Sequence, residues 1–172
     1  DAVLLEGYVL YPYRANAPKN RLRWSFGVVA PRAWADRTNT DRWWIAARFP
    51  MEGKPDVRGV LRFLRMRRRR VEAREREGWR PVESLEANGA LHLSWDEGVL
   101  CELPFDSDRP AEFSFATAIE EEMLRDAQGR RVGRIVREMG ALEGMVRVDA
   151  VGAGRGLHQV EVRVENRTPC PS

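Results

Sequence analysis

The stretch Val57-Arg58-Gly59-Val60-Leu61-Arg62-Phe63-Leu64-Arg65-Met66-Arg67-Arg68-Arg69-Arg70-Val71-Glu72-Ala73-Arg74-Glu75-Arg76 admits two backbone periods, and the choice between them decides the fold class. Val57, Val60, Leu61 and Leu64 fall at the i, i+3, i+4, i+7 spacing of an amphipathic helix, and Glu72 precedes Arg76 by one helical turn, a favourable pair. Against that, Leu61, Phe63 and Arg65 alternate with Arg62, Leu64 and Met66 at the period of a strand. In isolation the segment reads as a helix. Its neighbours are nearly all strand-like, so the expectation is one long strand that projects from a sheet.

Those neighbours supply the context. Downstream, Leu91, Leu93 and Trp95 alternate with His92 and Ser94 after an Asn88-Gly89 turn, which predicts a strand with His92 on its polar face. Residues 123–136 divide at Asp126-Ala127-Gln128-Gly129 and read as a hairpin, while Glu120-Glu121-Glu122 fits either a strand or one helical turn. Val146 and Val148 alternate with Arg147 and Asp149. After the glycine-rich loop 152–156, Val160, Val162 and Val164 alternate with Glu161, Arg163 and Glu165, the pattern of a half-buried antiparallel hairpin. Upstream, residues 2–10 and 23–29 are strand-prone, and residues 42–49 form a further candidate ended by Pro50. The expected fold is mainly β: an antiparallel two-layer sandwich or curved sheet with at most one or two short helices, in a single β-rich domain over residues 1–172.

Composition narrows the functional classes. A 19.8 kDa chain that is 43% hydrophobic and 32% charged is globular rather than disordered. No apolar run approaches the roughly 18 residues of a membrane helix, so a helical integral membrane protein is excluded. No basic-then-apolar leader follows Asp1, and the compartment expected is the cytoplasm. Lys19 and Lys54 are the only lysines, so 27 of the 29 cations are arginine. Residues 1–80 hold 19 Lys/Arg against 9 Asp/Glu, and residues 81–172 hold 10 against 17. The net +3 therefore hides a dipolar sequence whose halves either pack on each other or face different partners.

Reactive chemistry is sparse. Cys101 and Cys170 are too few for a disulfide framework, with Cys101 in an apolar run and Cys170 between two prolines. Neither His92 nor His158 has ligand-like spacing, and no phosphate loop, dinucleotide fingerprint, nucleophile elbow or zinc-protease motif is present. Asp96-Glu97 and Asp106 with Asp108 serve acid–base chemistry only if folding gathers them. No cofactor, metal or catalytic residue is assigned, and the balance is against an enzyme. Two features suggest recognition. Arg65-Met66-Arg67-Arg68-Arg69-Arg70 offers guanidinium forks to phosphates, or else meets acids of the second half such as Glu120, Glu121 and Glu122. Trp43 and Trp44 are adjacent, so on a strand they point to opposite sides and leave one exposed as a contact anchor.

A third feature is a motif. Leu10-Tyr11-Pro12-Tyr13-Arg14-Ala15-Asn16-Ala17-Pro18-Lys19-Asn20, followed by Arg23-Trp24-Ser25-Phe26-Gly27-Val28-Val29, resembles a pattern of uncharacterised bacterial proteins encoded beside nickel–iron hydrogenase and hydrogenase-maturation genes. Residues 60–65, Trp95-Asp96-Glu97 and residues 162–169 resemble the same pattern, whereas residues 42–50 depart from it. The resemblance implies that these residues form the amino-terminal portion of something longer. It is silent on biochemistry. The function expected is a non-catalytic protein-binding or assembly module, an accessory to hydrogenase biogenesis, contacting a protein partner through Tyr11, Tyr13, Arg14, Lys19, Arg21, Trp43, Trp44, Arg67, Arg68, Arg69 and Arg70. The alternative is single-stranded nucleic-acid binding through residues 65–70, with Trp43, Trp44 and Trp79 as stacking surfaces.

Overall fold

A computed structural model describes residues 28–170. Among them one helix, α1 (Arg32–Thr38), precedes eleven strands: β1 (Trp44–Glu52), β2 (Arg58–Glu75), β3 (Gly78–Val82), β4 (Ser84–Ala87), β5 (Ala90–Leu93), β6 (Trp95–Asp106), β7 (Ala111–Phe115), β8 (Ala118–Arg125), β9 (Arg131–Met139), β10 (Leu142–Gly154) and β11 (Leu157–Asn166). The structure is mainly β with antiparallel sheets and a single short helix in this range, as the alternation predicts. The ambiguous segment resolves as β2, an unbroken strand of 18 residues. Its local helical pairs lose to ladder hydrogen bonding: β3, β6 and β9 all pair with it. Glu120, Glu121 and Glu122 likewise lie in a strand, β8.

The described chain divides into two compact units. The first comprises residues up to Phe63 with Glu102–Ser114 and the segment from Leu142 onward; the second comprises Leu64–Cys101 and Phe115–Ala141.

The first unit is organised on the four-stranded sheet β1-β11-β10-β7. Its register places Ile45, Ala47 and Phe49 opposite Val164, Val162 and Val160, and these opposite Val146, Val148 and Ala150. Side-chain parity makes this one apolar face, where Val146 and Val160 are buried. The other face carries Trp44, Ala46 and Arg48 against Glu165, Arg163 and Glu161, the alternation read from residues 146–165. β1 does not stop at Pro50, contrary to the expectation; Pro50 pairs with Gln159 and the strand continues to Glu52. The ladder explains the tolerance. Asn166 N–H donates to Trp43 C=O at 2.8 Å and Gly53 N–H donates to Gly156 C=O at 2.9 Å, so odd-numbered residues of β1 turn their backbone toward β11. The nitrogen of Pro50 therefore points away from the sheet, where no ladder donor is lost.

The second unit is built on β3-β2-β9-β8, with β6 also paired to β2. Val71, Leu124, Ile135 and Ala87 form its buried core, packed by Val82, Leu85 and Val132. The β4–β5 hairpin turns at Asn88 (φ 50°) and Gly89 (φ 76°), the left-handed pair that a two-residue hairpin loop requires.

Candidate functional site

The arginines of β2 are divided by the strand's own period. Arg65, Arg67 and Arg69 share the face of Val71, whereas Arg68 and Arg70 share the face of Glu72. On the first face, Arg65 Nη2 donates to the carbonyls of Ala116 (2.8 Å) and Gly140 (2.5 Å) with its guanidinium 5.1 Å from the Phe115 ring. Arg67 bonds Glu97 at 2.6 Å, and Arg69 donates to Leu93 C=O at 2.7 Å while lying 3.7 Å from the same Glu97. On the second face Arg70 pairs with Glu138 at 3.0 Å. Arg68 is exposed and makes no ion pair among the described residues. The acids Glu121 and Glu122 are partnered elsewhere, by Arg134 and Arg137 of β9.

That second face continues as a ladder around a buried acid. Glu72 accepts from Arg134 Nε at 2.6 Å; Arg134 also forks onto Glu121 (2.9 and 3.0 Å) and lies 5.0 Å from the Trp79 ring, with Arg74 at 4.9 Å from the same ring. Burial opposes the charge on Arg134, but its bonds and proximity to Glu72 and Glu121 outweigh this and raise its pKa above the ordinary arginine value.

Trp43 and Trp44 belong to the first unit. Trp44 opens β1 and Trp43 precedes it, and both are half-buried. Their rings are not separated as alternation implies: the Arg163 guanidinium lies 5.6 Å from Trp43 and 4.1 Å from Trp44, with Arg32 of α1 at 4.8 Å from Trp43. Arg163 is held 3.1 Å from the buried Glu165, which Arg167 also approaches at 3.1 Å. Beside them Asn166 Nδ2 donates to Val29 C=O at 2.7 Å, fastening the segment ahead of α1 to β11. Tyr11, Tyr13, Arg14, Lys19 and Arg21 lie outside the described residues.

The surface that sequence reasoning missed is in the second unit. Residues 91–95 alternate as expected but in the opposite sense: His92 and Ser94 turn inward, and Leu91 (64% exposed), Leu93 (36%) and Trp95 (48%) turn to solvent. Ser94 sets the orientation. Its hydroxyl accepts from Val71 N–H at 2.8 Å and donates to Val82 C=O at 2.6 Å, satisfying two backbone groups beside the core. Its own N–H donates to Glu83 C=O at 2.8 Å. Turning the leucines inward would leave those groups unpaired, a penalty of about 1–3 kcal/mol each. The alternation was visible in the sequence. Its direction depends on a serine bonded across the chain.

The remaining groups do not converge. Glu97 is committed to Arg67 and Arg69, and Asp106 accepts from Asp108 N–H in a turn. Cys101 and Cys170 are both free and half-buried. Glu112, Phe113, Ser114, Glu143, Gly144 and Arg167 line an open depression of about 350 Å³, with Arg167 3.5 Å from Glu112. Among the described residues no group of three or more His, Cys, Asp or Glu is placed to hold a metal, and no helix is long and apolar enough to cross a membrane. Compared with protein-family models, curated proteins and solved structures, the chain matches none.

Proposed function

We propose that the protein is a non-catalytic protein-binding module that docks a protein partner on the Leu91–Leu93–Trp95 row and serves as a cytoplasmic accessory to nickel–iron hydrogenase biogenesis. The row carries the docking reading: three large apolar side chains stand in solvent on consecutive outward positions, one of them a tryptophan, the residue type most enriched at binding hot spots. Charged side chains border it, since Arg69 bonds the Leu93 carbonyl and Glu97 holds Arg67 and Arg69 just beyond Trp95. An apolar centre inside a charged rim is the anatomy of a specific interface. The hydrogenase assignment rests on the motif of residues 10–29 and the resemblance it carries.

The test uses purified hydrogenase subunits and maturation factors of the source organism against the immobilised chain. Wild type should retain one of them, and Leu91→Asp with Leu93→Asp should weaken that retention by roughly thirtyfold or more, the effect of removing a 2 kcal/mol hot spot. Both positions are exposed, so the far-UV spectrum should not change. Failure of every component to bind overturns the hydrogenase assignment. Equal binding by the double variant overturns the docking face.

A further inference from the structure

We infer that the partner segment seated on the Leu91–Leu93–Trp95 row is a basic amphipathic helix. The inference rests on the docking reading above and adds the charge and shape of what docks.

Charge comes first. Glu86 stands directly across from Leu91 in the β4–β5 register, and such cross-strand partners share a face with their Cβ atoms about 5 Å apart. Glu83 lies beside the strand, its carbonyl accepting from Ser94 N–H at 2.8 Å, and Asp96 follows Trp95. All three acids are exposed, and none makes an ion pair among the described residues. The cations nearest the row are engaged: Arg67 and Arg69 share Glu97, and their side chains are only 29% and 15% exposed. The free charge around the apolar centre is therefore negative. Such a rim disfavours a second copy of the row, which would bring the same acids against it, and it repels an anionic membrane surface. It attracts lysine and arginine.

The backbone limits how a segment can lie. Ser94 N–H faces Glu83, so along residues 90–94 the odd-numbered positions turn their N–H and C=O groups away from β4. On that outer side the Leu93 carbonyl already accepts from Arg69 at 2.7 Å. An incoming strand would keep only Leu91 as a complete main-chain partner, too little to anchor an extended peptide at this edge. The face itself stays open. Leu91 to Trp95 spans about 13 Å at the rise of a strand, a length that about nine helical residues cover. Apolar side chains at i, i+4 and i+8 of a helix then follow the row, while Lys or Arg on its flanks reach Glu86 and Asp96.

The probe is a phage-displayed library of random peptides of about 16 residues, long enough for a helix of this span. It is panned on the immobilised full chain and screened against Leu91→Asp with Leu93→Asp. Peptides that need the two leucines should carry apolar residues at helical spacing with Lys or Arg beside them. A synthetic copy of the leading clone should gain helical circular dichroism on binding and bind Glu86→Lys with Asp96→Lys roughly tenfold more weakly. Panning on that charge-reversed chain should enrich Asp and Glu instead. Leucine-dependent peptides that are neutral or acidic, stay extended, or bind the charge-reversed chain equally overturn the inference and leave the docking row standing. A library that yields no leucine-dependent peptide overturns the row and the inference with it.

Discussion

Glu161 shows how single residues are tuned on the charged face of the first unit. Arg48 donates to it across the strand pair; burial works against its charge, but the Arg48 bond and the fields of Arg48, Arg163 and Arg147 hold its carboxyl below the ordinary glutamate value of 4.5. Asp149, its neighbour on β10, is itself 3.3 Å from Arg147. At the β8–β9 turn, burial opposes ionisation of Asp126, yet the N–H groups of Arg130 and Gln128 and the Arg130 guanidinium still lower its pKa. A carboxylate with a depressed folded pKa contributes stability that is present above its unfolded value and disappears as pH falls through the folded one. The thermal midpoint should therefore hold down to about pH 5 and decline below about pH 4. Glu161→Gln should lower the midpoint near neutrality and make the acid decline shallower. Parallel acid limbs for the two proteins would show that Glu161 gains nothing from its arginines.

At the scale of elements, the second sheet depends on a close approach at Gly133 of β9. A Cβ there would meet Leu85 Cδ2 and would lie 2.8 Å from the Glu72 carbonyl oxygen. The leucine can rotate, but the carbonyl belongs to the β2–β9 ladder and cannot. Gly133→Ala should destabilise the fold by about 1–3 kcal/mol in urea unfolding, the cost of overpacking a close-packed site, whereas Gly129→Ala at the solvent-open turn should show only the milder strain of its left-handed backbone. A Gly133→Ala midpoint equal to wild type would mean the Glu72 carbonyl does not press on β9 at this position. This contact marks what could be read in advance. The β10–β11 hairpin was legible because valines alternate with charges over both strands, and that pattern has one stable orientation. β2 was legible only through its neighbours, because its arginines fit either period. The outward turn of Leu91 and Leu93 was not legible, since the Ser94 hydroxyl that sets it bonds Val71 and Val82. Nor was the shared Arg163 of Trp43 and Trp44, which comes from β11.

For the whole molecule, the dipolar sequence is resolved by strand pairing. β1 and β2 come from the basic first half, and β9, β10 and β11 from the second, so each unit interleaves the two. Arg48 meets Glu161, Arg67 meets Glu97, Arg70 meets Glu138 and Glu72 meets Arg134, each pair joining one half to the other. The consequence bears on nucleic acid. Four arginines gripping phosphates would give single-strand binding a salt slope of about −3, at roughly −0.7 per phosphate contact. With Arg65, Arg67, Arg69 and Arg70 engaged internally, the 65–70 cluster has only Arg68 without an ion pair among the described residues, which limits the cluster's share of the slope to about −0.7. Fluorescence anisotropy with a labelled single-stranded oligonucleotide, titrated at several salt concentrations, should show a difference no larger than this between wild type and Arg68→Ala. A slope near −3 that collapses in Arg67→Gln or Arg70→Gln would mean the ion pairs open for phosphate, and the nucleic-acid reading would displace the docking one. A shallow slope leaves the cationic strand as internal scaffolding, with recognition carried by the apolar surfaces at Leu91, Leu93 and Trp95.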